Sequence, residues 1–297
     1  MTIFSNILPH TCRCSLYRQT YGSFFRFFSF FLATLLLILL SGCAPKEQQK
    51  KTLVVSIEPL RYFAEQIAGD RYNVVSIVPE GYSPETYEPS PHQLLTLSSA
   101  QAYLKVGQLG FETTWLPKMI SNVPQLPVVD TSQGLPDVAF DPHTWTSPRS
   151  ALLICRNICT ALCQSDTAYA THFRANLHRL ENKIRTTEHS VDSLLSQTHV
   201  RTFVTVHPMF SRLAADYGLK QLSIEHNGKE PTPSRLAQLC REAQQEGVRC
   251  VLVIPEFGEE HAAVIARESE AKLFTIHPLS YQWDQEIIHT ARAIAYE

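Results

Sequence analysis

Four residues in short, separated segments of this chain carry side chains that a divalent metal takes. They are Glu85 in Pro84-Glu85-Thr86-Tyr87, His143 in Asp141-Pro142-His143-Thr144-Trp145, His207 in Thr205-Val206-His207-Pro208, and His277 in Ile276-His277-Pro278-Leu279. Each follows an apolar stretch that reads as a strand or strand-like lead-in, so each belongs at a strand's C-terminal end, where open α/β sheets bind ligands. Three imidazoles and one carboxylate converging there suit zinc, which takes neutral nitrogen and a single charged oxygen in a tetrahedron.

The neighbouring residues are weaker signals. Asp141 has two readings, orienting a ligand imidazole from behind or capping its own turn. His92 opens a helix just after the first loop and is an alternative to Glu85, although its spacing suits the neighbouring turn less well. His226, with Glu225 beside it, follows a strand and reads as loop surface, with an approach to the site left open. His172, His178 and His189 fall in the polar register of a long helix and read as solvated.

The elements that must position these residues alternate between short β-rich runs and helical patterns, which argues for parallel α/β architecture. Strands are predicted at Thr52 to Ile57, Val74 to Val78, Ala102 to Val106 and Pro127 to Val129, then at Thr202 to Val206, Lys220 to Ile224, Val248 to Ile254 and Lys272 to Ile276. Helices are predicted at Leu60 to Ile67, His92 to Leu97 and Glu112 to Ile120 in the first half. In the second they fall near Phe210 to Tyr217, Ser234 to Glu246, Glu259 to Glu268 and Asp284 to Tyr296. Between the halves no strand pattern occurs. Ala151 to Cys163 is apolar at helical spacing, and Phe173, Leu177, Leu180, Ile184, Val191 and Leu195 form one helical face extending over roughly 40 Å. The expectation is two similar lobes with parallel sheets, joined by a long rigid linker helix.

The N-terminus bears on location. Arg13, Arg18 and Arg26 precede an apolar run from Phe27 to Leu40, shorter than the roughly 20 residues that span a bilayer comfortably. The run reads as an export signal, with an uncleaved anchor as the alternative. It ends in Leu40-Ser41-Gly42-Cys43, which resembles the bacterial lipobox, whose cysteine is lipidated. Residues 44–51 are polar and without periodicity, as in a flexible tether. The whole chain has 26 basic and 28 acidic residues; removing three arginines with the signal leaves 23 against 28, or −5. No basic excess points to nucleic acid. Cys155, Cys159 and Cys163 recur every four residues and read as core packing on one helix face. Cys240 and Cys250 are a disulfide candidate in an exporting compartment, their geometry being open.

From Val54-Val55-Ser56-Ile57-Glu58-Pro59-Leu60 to the C-terminus the chain resembles the metal-binding solute receptors of bacterial zinc and manganese ABC importers, the cluster A-I or cluster 9 family. The resemblance is carried by Gly81-Tyr82-Ser83-Pro84-Glu85-Thr86-Tyr87-Glu88-Pro89-Ser90-Pro91, by Asp141-Pro142-His143-Thr144-Trp145-Thr146-Ser147-Pro148, by Phe203 to Phe210, and by Glu230-Pro231-Thr232-Pro233. It implies two α/β lobes joined by a long helix, with the metal between them and His143 and His207 as ligands. Two departures stand out. Glu85 occupies a position where the family usually has histidine, and His277 one where it usually has a carboxylate; read together they restore three histidines and one carboxylate. Nor does Asp130 to Phe140 hold the histidine-rich loop of many zinc receptors.

The resulting organisation is a lipoprotein signal peptide at 1–42, a lipidated tether at 43–51, an N-terminal lobe at 52–148, a helical linker at 149–198 and a C-terminal lobe at 199–297. The function expected is an extracytoplasmic, lipid-anchored, monomeric receptor that delivers Zn²⁺ to an ABC permease, not an enzyme. Its metal ligands are expected to be Glu85, His143, His207 and His277, with Cys43 as the lipid site and closure of the lobes completing the shell. Alternatives are a manganese or iron receptor of the same family, a surface adhesin or metal buffer, and a zinc hydrolase. The hydrolase needs an open metal position and an added acid or base, neither of which the motifs supply.

Overall fold

The computed structural model describes residues 50–138, 141–225 and 231–296. The expected signal peptide, Cys43 and nearly all of the expected tether lie outside these residues, as do His226 and Glu230. The first strand begins at Lys51, one residue before the expected boundary. Among the described residues no helix is long and apolar enough to cross a membrane.

Eight strands form two sheets. The first holds β1 (Lys51–Val55), β2 (Tyr72–Ser76), β3 (Ala100–Lys105) and β4 (Val128–Asp130); the second holds β5 (Thr202–Thr205), β6 (Lys220–Ser223), β7 (Cys250–Val253) and β8 (Lys272–Thr275). All pairings are parallel, in the orders β2-β1-β3-β4 and β6-β5-β7-β8. The inner strands are continuous apolar or β-branched runs because both faces are covered: Leu53, Val54 and Val55 are fully buried, as are Val251 and Leu252. Every strand expected from the sequence is present, each within a few residues of its expected limits.

In the first half the helices are α1 (Glu58–Ala68), α2 (Pro91–Ser98), α3 (Gly110–Thr114) and α4 (Leu116–Ser121). The sequence pattern suggested one helix from Glu112 to Ile120; the structure has two. Pro117 has no N–H to give to the preceding turn, so the helical ladder breaks at Trp115 and restarts. α2 starts where Ser90 and Gln93 form a capping box, the serine side chain accepting the Gln93 N–H.

The linker is a helical pair, α5 (Pro148–Ser165) and α6 (Ala170–Leu195), separated by a single 3₁₀ turn at Thr167–Tyr169. α5 begins where the Ser147 hydroxyl accepts the Ser150 N–H at 3.2 Å. On α6, Phe173, Leu180, Ile184, Val191 and Leu195 are buried while His172, His178 and His189 are exposed, as the amphipathic pattern requires. α6 packs against α5 and α1.

The second half adds α7 (Ser211–Tyr217), α8 (Pro233–Gln245), α9 (Glu260–Ser269) and α10 (Trp283–Ile294). α10 packs on α6, and its Trp283 reaches the first half, with its ring 5.0 Å from Phe63 and 6.4 Å from Tyr62 on α1. One apolar cluster therefore runs from Leu53 and Phe63 through α5 and α6 to Phe203, Phe210, Ile276 and Ile294; a smaller one fills the far side of the second sheet. Cys155 and Cys159 are buried in the large cluster and Cys163 packs at its edge, so they serve as small apolar residues. Cys240 and Cys250 are unbridged and sit in different clusters, so the candidate disulfide is absent.

Candidate metal centre

Glu85 lies in the long loop after β2. Its backbone is fixed by a Ser83 turn, in which the Glu85 N–H donates to Ser83 Oγ at 3.2 Å and the Thr86 N–H to the Ser83 carbonyl at 3.3 Å. Gln93 of α2 holds the same loop by donating to the Ile77 carbonyl at 2.5 Å and to the Tyr87 hydroxyl at 2.9 Å. From the other side the Phe111 N–H donates to the Pro84 carbonyl at 2.9 Å and the Gly110 N–H to Glu85 Oε2 at 3.1 Å.

His143 lies in the loop between β4 and α5. Asp141 shapes that turn, with Oδ1 accepting the His143 backbone N–H at 2.9 Å and contacting the ring Nδ1 at 2.6 Å. Its second oxygen accepts the Ser211 N–H at 2.9 Å, and Thr146 Oγ1 donates to the Met209 carbonyl at 2.9 Å. The His143 loop is thus tied to the start of α7 in the second half. Both readings of Asp141 hold at once, since it caps the turn and braces the imidazole.

His207 follows β5, and Glu225, just beyond β6, contacts its Nδ1 at 2.6 Å. Phe257 stacks on the ring, with centroids 4.1 Å apart and planes inclined by 16°.

With each Nδ1 engaged by a carboxylate, Nε2 is the nitrogen left to bind a metal, and it presents its lone pair once its proton has been displaced. His143 Nε2, His207 Nε2 and Glu85 Oε1 are all buried without a hydrogen-bond partner, and one ligand atom from each of the three residues lies within 4.8 Å of the others. His143 Nε2 and Glu85 Oε1 are 3.6 Å apart, long for a hydrogen bond but close to the roughly 3.3 Å edge that 2.0 Å bonds in a zinc tetrahedron generate. Buried polar atoms are seldom left unpaired, and three facing one another point to a cation.

His277 is not brought into this group. It follows β8 as expected, but it is exposed, and its backbone N–H donates to Glu286 Oε1 at 2.6 Å. The adjacent Pro278 carbonyl accepts the Trp145 indole N–H at 2.7 Å. That contact fixes the segment beside the His143 loop while the imidazole faces solvent. His92 is exposed on α2 and also stays outside the group.

The electrostatics favour a dication. Burial disfavours the charged imidazole of His143, but Asp141 and Glu85 outweigh it and raise its pKa to about 9. For Glu85, burial opposes the charge; the contact with His143, the charges of both imidazoles and the Gly110 N–H prevail and hold its pKa below the usual carboxylate value. Asp141 is likewise depressed despite burial, by His143 and by its backbone donors. The centre is a set of anions that balances positive charge placed among them.

The chain matches, over residues 53–291, the profile of the family described as "Zinc-uptake complex component A periplasmic", ZnuA. It belongs to that family. A crystal structure of ZnuA superposes with a TM-score of 0.79 at 32% identity, covering 83% of this chain and 98% of the other. The zinc-binding lipoprotein AdcA of Streptococcus pneumoniae is 27% identical over 276 residues, 84% of this chain and 55% of AdcA, so the chain spans about half of that protein. FpvC of Pseudomonas aeruginosa, solved with Mn²⁺, shares the fold with a TM-score of 0.74 at 21% identity and 83% and 97% coverage. ZnuA-type proteins are metal-binding solute receptors rather than enzymes, and this chain is a metal-binding receptor of that type. The two sheets and the long helix are this family's architecture as this sequence builds it.

Sequence reasoning passed over Gly110 and Phe257 and left open whether Glu225 approaches the site. Glu225 had a legible signal, an acid at the C-terminal end of a predicted strand beside the one that delivers His207. Gly110 had none.

Proposed function

We propose that this receptor holds Zn²⁺ through Glu85 Oε1, His143 Nε2 and His207 Nε2 outside the cytoplasmic membrane, and passes it to an ABC permease for uptake. The observation that carries the reading is the convergence of three buried, unpartnered ligand atoms, two of them on imidazoles braced by carboxylates. Two nitrogens and one oxygen favour zinc over manganese, which suits oxygen-rich shells. Cys43 tethers the receptor to the membrane through lipid, which agrees with the lipoprotein character of AdcA.

Competition against chelators of graded affinity tests the reading, with the purified chain offered Zn²⁺ and Mn²⁺. The expected result is one zinc per chain and tighter binding of zinc. Tighter manganese binding would favour the manganese receptor of the same fold; no stoichiometric metal at all would remove the function.

A further inference from the structure

We propose that Gly110 makes Glu85 a one-oxygen ligand and is thereby the specificity-determining position of this site. The inference rests on the zinc reading above and deepens it.

The two oxygens of Glu85 have different surroundings. Oε2 accepts the Gly110 N–H at 3.1 Å, whereas Oε1 is buried, unpartnered and 3.6 Å from His143 Nε2. A carboxylate free to turn can present both oxygens to an ion and raise the count of oxygen ligands, which suits Mn²⁺ and other hard ions with large shells. Docked on Gly110, Glu85 presents one. The arrangement gives a carboxylate the footprint of an imidazole, a single donor at a single point.

Only glycine permits this approach. A Cβ at residue 110 would lie 2.5 Å from Glu85 Oε2, 2.8 Å from the Glu85 carbonyl oxygen and 3.0 Å from its Cα. Two of these atoms are backbone and cannot rotate away. Gly110 is not among the residues with positive φ, so glycine is required there for space and not for backbone conformation.

The Gly110 turn cannot retreat, because buried Glu112 braces it. One Glu112 oxygen accepts the Val106 N–H at 2.7 Å and the Ser56 hydroxyl, and the other accepts the Gly107 N–H at 2.8 Å and the Leu109 N–H at 3.4 Å. The Phe111 N–H, bonded to the Pro84 carbonyl at 2.9 Å, locks the same turn onto the ligand loop. Glu112 and Gly110 are positioning residues that act through Glu85.

The test uses the full chain in detergent, with Gly110→Ala and Glu85→Asp as variants. Glu85→Asp keeps the charge and leaves Gly110 intact, but its shorter arm cannot reach both the N–H and the ion. Zinc and manganese affinities are measured by chelator competition, and Co²⁺ serves as an optical probe because tetrahedral cobalt absorbs far more strongly than five- or six-coordinate cobalt. The expected result in each variant is a fall in zinc affinity of about ten- to a hundredfold with a smaller change for manganese, and a weakened cobalt band. Unchanged zinc-to-manganese preference and unchanged cobalt absorption in both variants would overturn the inference while leaving the receptor reading standing. Failure of the unaltered chain to bind zinc would remove both. If Gly110→Ala does not fold, as read by its melting curve, Glu85→Asp decides alone.

Discussion

His143 and His207 stand edge to face, with ring centroids 5.0 Å apart and planes at 89°, although 64 residues separate them and they belong to different halves of the chain. Each ring is held from behind by a carboxylate at 2.6 Å, so the pair is set before any ion arrives. Alanine at His143, His207 or Glu85 should each lower zinc affinity by roughly a hundredfold or more, since each removes one of three convergent ligand atoms. Alanine at His277 should cost about tenfold or less, because that ring is exposed and apart from the others. Chelator competition on the four variants is the check. A loss at His277 equal to the other three would make it a full ligand.

Protons compete with the ion for His143. Its pKa of about 9 leaves the ring protonated in the metal-free protein at neutral pH, so loading must expel a proton and zinc affinity should climb from acid pH until about pH 9. Calorimetry near pH 7 in buffers of different ionisation enthalpy should report about one proton released per ion. No release, with affinity flat over that range, would contradict the assignment.

The same shift has a consequence for folding. Because the folded pKa of His143 lies above the ordinary imidazole value of 6.5, the stabilisation is complete below about 6.5 and is lost as pH rises through about 9. The metal-free protein should therefore melt at lower temperature at about pH 9.5 than at about pH 6.5, and the difference should shrink in His143→Ala. Equal pH dependence in the variant would place the effect elsewhere.

The carboxylates behind the histidines should matter unequally. Glu225→Gln should lower zinc affinity by about ten- to a hundredfold with little change in melting temperature, because Glu225 is partly exposed and braces only His207. Asp141→Asn should lower both, since buried Asp141 also receives the backbone N–H groups of His143 and Ser211. A binding titration and a thermal melt on each variant separate the two effects.

Trp283 donates its indole N–H to the Trp145 carbonyl at 2.7 Å, and both side chains are buried. Trp283→Phe should cost about 1 to 3 kcal/mol in urea unfolding, from a buried carbonyl left without a donor, with a further loss from poorer packing on Phe63. A change within error would mean that the carbonyl finds another donor.

Most of the architecture was legible because period and punctuation carry it. Val54 and Val55, or Val251 and Leu252, can only be inner strands of parallel sheets once helical patterns flank them, and Phe173 through Leu195 can only be one helix face. The break at Trp115 was missed because the apolar spacing continues through it, and Pro117 within the run was the sole warning. At the site, His143 and His207 were readable from motif, whereas the exposure of His277 depends on how Pro278 docks on Trp145, a contact between residues 133 positions apart. The role of Gly110 depends on space around a backbone, and sequence pattern does not encode space.

The apolar cluster that passes through both halves has a kinetic meaning. Lobes with separate cores swing apart at modest cost, but here opening would expose Trp283, Phe63 and Trp145 together, so the body behaves as one stiff piece. Departure of a bound ion would then depend on the long loop that carries Glu85, which hydrogen bonds with Ser83, Gln93 and Phe111 hold, and not on the body as a whole. Whatever hastens unloading must pull on a loop.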